Sequence, residues 1–109
     1  MEEISIEEFG RLDIRVGRVL KAERVPHTRK LIRLEVDIGE ESPRQLIAGI
    51  AGFYEPDELV GMNIVVLANL RPKKIMGMES KGMLLAADVD GRPVLLTVAE
   101  DVPPGTKVR

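Results

Sequence analysis

The chain has 109 residues, the length of one ordinary domain, and 44% of them are hydrophobic, enough for a small core. Its formal charge is −2 and it has no cysteine, which excludes disulfides, thiolate catalysis and cysteine-ligated zinc. The acidic opening MEEISIEEFG has no apolar signal core and no run approaches membrane length, so a cytoplasmic protein without membrane association is expected.

In chain order, Ser5 three residues before Glu8 is a capping-box pattern for one short helical turn, ended by Gly10. From Asp13, DIRVGRVLKAERV reads as a long strand: Ile14 and Val16 alternate with Arg15, and Gly17 predicts a bulge or bend. Pro26 breaks that strand, and VPHTRK reads as a loop. In LIRLEVDIG the period is two, with Leu34, Val36 and Ile38 on one face and Arg33, Glu35 and Asp37 on the other. EESPRQ is a turn and LIAGIA a short buried strand. YEPDELVG places Pro56 at a first helical position, with acidic residues in the first turn and Gly61 as a stop. MNIVVLANL is a third buried run, and GMLLAADV a further strand after a basic connection. Asp90-Gly91 predicts a hairpin, and EDVPPGTKVR an extended tail. The expectation is one mostly-β domain over residues 1–109. It is a five-stranded Greek-key barrel of the oligonucleotide/oligosaccharide-binding (OB-fold) type, with short helical segments and an extended C-terminal hairpin and tail.

Charge is unevenly divided. From Gly10 to Arg33 there are eight basic and two acidic residues, a balance of +6, and from Asn69 to Gly82 four against one, a balance of +3. The remainder carries −11. If folding brings the two basic segments together, they form a cationic face that draws a polyanion; otherwise the charges scatter.

Catalysis has little to stand on. His27 is the only histidine and lies in a predicted loop without an obvious carboxylate partner; phosphate-cradling, dinucleotide and GxSxG patterns are absent. A binding module is expected, with no catalytic residue, no metal site and no cofactor. The connection NLRPKKIMGMESKGMLLAA suits a sugar-phosphate backbone. Lys73 and Lys74 are flexible cations beside Pro72, Gly77 and Gly82 permit tight turns, and Ser80 offers a hydroxyl. Met76, Met78 and Met83 give adaptable apolar contact. The same composition would also suit an exposed loop whose methionines plug the barrel end.

The order and spacing of DIRVGRV, RKLIRLEVDIG and RQLIAGIAGFYEPDELVGMNIVVLANLRPKKIMGMESKGMLLAA closely resemble the tRNA-binding domain family of OB-fold type. That family includes free-standing tRNA-binding proteins, the C-terminal domain or beta subunit of methionyl-tRNA synthetase, and endothelial monocyte-activating-polypeptide-like domains. The resemblance implies a barrel that binds tRNA by shape and backbone. It also implies a homodimer whose interface uses the C-terminal region, with a methionyl-tRNA synthetase catalytic chain as a further partner. The family's site motif falls on Asn69, Lys73, Lys74, Gly77, Ser80, Gly82 and Met83, and Lys30 matches the lysine of the family's DKL. The chain departs there, with HTRKL where HPxADKL is common, so charge is gained at Arg29. The expected mechanism is electrostatic capture, with Lys30, Arg33, Lys73, Lys74 and Lys81 neutralising phosphates and Asn69 and Ser80 fixing the backbone by hydrogen bonds. Arg15 joins them if its strand face points to the groove. Aromatic platforms are nearly missing, which favours structured RNA over single strands. The rival is a peptide-binding export chaperone on the same barrel, whose diagnostic segment reads NFPPKQIGxFxSEVL; PKK and SKGM in this chain point to tRNA. The sequence leaves open a free-standing protein, a separate beta subunit of a synthetase or an excised domain of a longer enzyme; the short acidic leader leads to the expectation of a complete chain.

Overall fold

The computed structural model describes residues 1–109. Five strands make the wall of the barrel: β1 (Ile14–Arg24), β2 (Ile32–Asp37), β3 (Arg44–Ala48), β4 (Asn63–Leu67) and, as the seventh strand in the chain, β7 (Met83–Leu84). They run antiparallel in the order β3-β2-β1-β4-β7. The two ends of this sheet meet, because the Lys81 amide donates to the Gln45 carbonyl at 2.9 Å and the Ile47 amide donates to Ser80 Oγ at 3.0 Å. The result is the nearly closed barrel expected from the strand pattern.

β1 is long enough to serve two partners within the barrel wall. Ile14–Arg18 pair with β4 and Arg18–Arg24 with β2. The register slips at Leu20, between Val19 and Lys21, and Leu20 is exposed. The bulge expected at Gly17 is therefore three residues later. Gly17 stays in register opposite Ile64; a Cβ there would lie 2.6 Å from Val36 Cγ1, so glycine is required for close packing of the barrel interior. β2 alternates as its sequence predicts, with Ile32, Leu34, Val36 and Ile38 buried. These residues join Val19, Leu46, Ile64, Val66 and Leu95 in one apolar cluster.

The helix α1 (Ile6–Phe9) has the predicted capping box of Ser5 and Glu8, and α2 (Pro56–Leu59) starts at Pro56. Leu59, 1% exposed, inserts from α2 into the core. The predicted single strand GMLLAADV divides in two. β7 pairs with β4, then the chain turns after Leu85 so that β8 (Ala86–Val89) pairs with β9 (Arg92–Leu95). Asp90 and Gly91, at φ 50° and 86°, form the expected turn. The tail does more than extend. β10 (Lys107–Val108) pairs with Ile14 and Arg15 of β1, and the Gly105 amide donates to the Val16 carbonyl at 2.7 Å. No helix is long and apolar enough to cross a membrane.

Candidate nucleic-acid interface

Between β4 and β7 the basic connection folds back on itself. β5 (Lys73–Ile75) and β6 (Met78–Ser80) form a hairpin that pairs Lys73 with Ser80, Lys74 with Glu79 and Ile75 with Met78. Its turn residues, Met76 and Gly77, both have positive φ, 51° and 80°. Two such residues give a turn whose twist matches that of the strands. The hairpin was not evident in the sequence, because its strands are three residues long and its turn is Met-Gly rather than Asn-Gly.

Four side chains hold the base of this hairpin. Asn69 accepts from the Asp13 amide through Oδ1 at 2.8 Å and donates to the Arg11 carbonyl through Nδ2 at 2.7 Å. Ser80, 5% exposed, accepts from the Ile47 amide and donates to the Gly82 carbonyl at 3.2 Å. Gln45 Nε2 donates to the Glu79 carbonyl at 2.9 Å, while its Oε1 accepts from Arg33 Nη1 at 3.2 Å. Arg44 Nη1 donates to the carbonyls of Ala68 and Lys81. Gly82 is buried at φ 142°, where a Cβ would lie 3.1 Å from the Leu67 carbonyl oxygen.

The residues expected to meet RNA therefore separate into two groups. Lys73 and Lys74, with neighbouring Arg71, are exposed on the hairpin and its approach, and none has an acidic partner within 4 Å. Lys81 is exposed and 3.7 Å from Glu79. Lys30 is exposed in the β1–β2 loop, its carbonyl accepting from the Ala51 amide at 2.9 Å. Met83 is 46% exposed, and Met76 and Leu70 are exposed nearby on the chain. Gly77 shapes the hairpin tip.

Asn69, Ser80, Gly82 and Arg33 are instead engaged within the fold. The Ser80 hydroxyl is not available to a phosphate, because it is buried and already both donates and accepts. Both ends of the Asn69 amide are likewise occupied within the fold. Arg33 is held by Glu23 at 2.7 Å and Glu35 at 3.2 Å; the Glu23 hydrogen bond raises its pKa and the Arg33 hydrogen bond lowers that of Glu23. Its charge is thus spent on its neighbours in the sheet. Arg15 points to Asp13, at 2.9 Å, rather than to the groove.

Ion pairing also reshapes the first basic segment. Of its eight cations, Arg15, Arg18, Arg24 and Arg33 are ion-paired. The partner of Arg18 is Asp101, 83 residues away, and sequence counting has no means of seeing it. Arg11, Lys21, Arg29 and Lys30 remain unpaired. The hairpin keeps its charge and the strand face loses most of its own. An open groove beside the hairpin is lined by Asn69, Arg71, Pro72 and Lys81 together with Glu40 and Arg44. Glu40, Arg44 and Gln45 escaped the sequence reading because EESPRQ carries only a turn signal.

A nearly closed five-stranded barrel with a cationic hairpin between its last two wall strands defines an OB-type module with a face for a polyanion. A family model described as "Putative tRNA binding domain" matches residues 14–107, and the chain belongs to that family. It is 61% identical over 107 residues to the methionine–tRNA ligase of Archaeoglobus fulgidus, covering 98% of this chain and 16% of that protein. It is 54% identical over 105 residues to the enzyme of Thermotoga maritima, covering 96% and 16%. The chain thus spans about one sixth of the length of these relatives. Among solved structures it is similar to a MetRS-related protein from Pyrococcus horikoshii, at 42% identity and a TM-score of 0.93 over 100% of both chains. It is also similar to the chaperone CsaA of Bacillus anthracis str. Ames, at 37% identity and a TM-score of 0.88 over 99% of this chain and 100% of that one.

Proposed function

We propose that the chain is a non-catalytic module, a single domain over residues 1–109, that captures folded tRNA through its phosphate backbone. The observation that carries this reading is the β5–β6 hairpin: Arg71, Lys73 and Lys74 stand exposed without acidic partners, in a chain where seven of 16 cations are ion-paired. Unpaired lysines release the counterions of phosphates they neutralise, so affinity falls steeply with salt. Lys30 and Lys81 extend the same contact. Asn69, Ser80 and Gly82 serve it by holding the hairpin backbone, and Met76 and Met83 border it with apolar surface. Phe53 is the one exposed aromatic residue, too little for a stacking platform, which favours structured RNA over single strands.

The relatives support a role beside methionyl-tRNA synthesis, with the module delivering or retaining tRNA for a synthetase catalytic chain in the cytoplasm. A homodimer fits the apolar hollow that Ile6, Phe9 and Leu12 form with Val108 of β10, where Ile6 is 72% and Leu12 40% exposed. Sedimentation should give twice the monomer mass, and Ile6→Asp should return the monomer.

The likeness to the chaperone CsaA, together with exposed Leu70, Met76 and Met83, favours a second reading as a peptide-binding protein. A titration of labelled folded tRNA across salt concentrations, with single-stranded RNA and an unfolded peptide as competitors, separates the two. The tRNA reading expects salt-dependent binding that single strands and peptide displace poorly. Peptide binding without tRNA binding at low salt would establish the other.

A further inference from the structure

We infer that Arg44, locked by Glu40, is the positioning residue of the cationic hairpin; this rests on the reading of that hairpin as the element that meets tRNA. Arg44 opens β3 and its Nη1 donates to two carbonyls, those of Ala68 and, at 3.0 Å, Lys81. Ala68 is the last residue before the Asn69–Ser80 connection and Lys81 the first after it. One nitrogen therefore joins both ends of the segment that carries Arg71, Lys73 and Lys74. The opposite edge of the guanidinium forms a two-bonded fork with Glu40, Nε to Oε1 and Nη2 to Oε2, each 2.8 Å. Glu40 fixes the plane of the guanidinium and the guanidinium fixes the two carbonyls.

Direct phosphate contact is a poor account of this residue. Four of the five N–H groups of an arginine are already engaged, so no two-bonded edge is left for a phosphate. The Arg44 side chain is only 24% exposed. Its companion Glu40 lines the same groove as Arg71 and Lys81. A carboxylate kept beside a polyanion site opposes binding by its charge, so its presence is accounted for by what it orients.

The hairpin needs such a brace. β5 and β6 pair only with each other as strands, and an isolated two-stranded hairpin is marginal in water. Each lysine that must be brought into place at the moment of binding subtracts from affinity. A hairpin fixed at its base presents Lys73 and Lys74 already in position.

The two roles of Glu40 predict opposite signs, and this makes the test. Simple electrostatics says that Glu40→Ala tightens tRNA binding, because a negative charge leaves the face. Positioning says that it weakens binding, by about three- to tenfold, with a shallower salt dependence. In the free protein the amides of Lys73–Ser80 should exchange with solvent about tenfold faster or more, while those of Ile32–Asp37 keep their protection. Arg44→Lys retains the positive charge but a single ammonium cannot hold the fork and both carbonyls, so it should behave as Glu40→Ala does. Unchanged hairpin exchange in either folded variant overturns the inference, as does unchanged or tighter tRNA binding. If the wild-type protein shows no salt-dependent tRNA binding, the functional reading falls and the RNA role of Arg44 with it; exchange in the free protein still reads whether Arg44 clamps the hairpin.

Discussion

At Ser80 a residue that looks like a phosphate ligand in sequence acts as a brace in the fold. Its hydroxyl satisfies the amide of Ile47 on β3 and binds the carbonyl of Gly82, so it joins the hairpin to the barrel wall. Ser80→Ala leaves a buried N–H unpaired and should cost about 1–3 kcal/mol. Urea denaturation should show a lower midpoint with an unchanged slope, and a stability-neutral loss of tRNA binding would restore Ser80 to direct contact. Asp13 belongs to the same scale. Its pKa is lowered, chiefly by the hydrogen bond from Arg15, with burial opposing and Lys107 assisting. A depressed carboxylate stabilises the fold above its ordinary titration range and loses that contribution as pH falls through the lowered value. The melting-temperature difference between wild type and Asp13→Asn should therefore be flat from about pH 5 to 8 and shrink below about pH 4. The residue types of the candidate interface were legible in the sequence; which side chains already have partners in the fold was not. Lys73 and Asn69 read alike as ligands, and only long-range hydrogen bonds to Arg11 and Asp13 set Asn69 apart.

Among the elements, β2 and the Asp90-Gly91 turn could be read directly, because a period of two and a dipeptide suited to positive φ are local signals. The β5–β6 hairpin could not. Its side chains alternate over only three residues per strand, and Arg44, Gln45 and Ser80 anchor its base by hydrogen bonds to distant segments. Met76 sits at φ 51°, a conformation that asparagine tolerates better than an unbranched apolar residue. Met76→Asn should stabilise the hairpin by a few tenths of a kcal/mol, seen as slower amide exchange at Met78 and Ser80. Faster exchange there would show that the Met76 side chain itself holds the turn. The bulge lies at Leu20 rather than at Gly17 for a related reason. A glycine in a strand signals either a bulge or a close approach, and here the approach is to Val36 and Ile38 across the barrel.

For the whole molecule, the division of charge matters more than its sum. The net of −2 combines an anionic body, where most arginines of the first basic segment are neutralised across the sheet, with a hairpin whose lysines are free. The fold type was readable because strand lengths, turns and the helix before β4 are locally encoded. The extent of the cationic face was not, since pairs such as Arg18 with Asp101 form only when distant segments meet. The tail is part of the same architecture: Lys107 lies 3.8 Å from Asp13 and β10 completes the edge of β1.

In the proposed reading, the unpaired Lys73 and Lys74 of this hairpin neutralise tRNA phosphates. The most direct measurement compares the affinity of wild type and Lys73→Ala/Lys74→Ala for folded tRNA across a series of salt concentrations. We expect the double variant to keep its melting temperature, to bind more weakly, and to lose about 0.7–0.9 from the logarithmic salt slope for each phosphate contact removed. A folded double variant with the affinity and slope of the wild type would place the tRNA contact on another face.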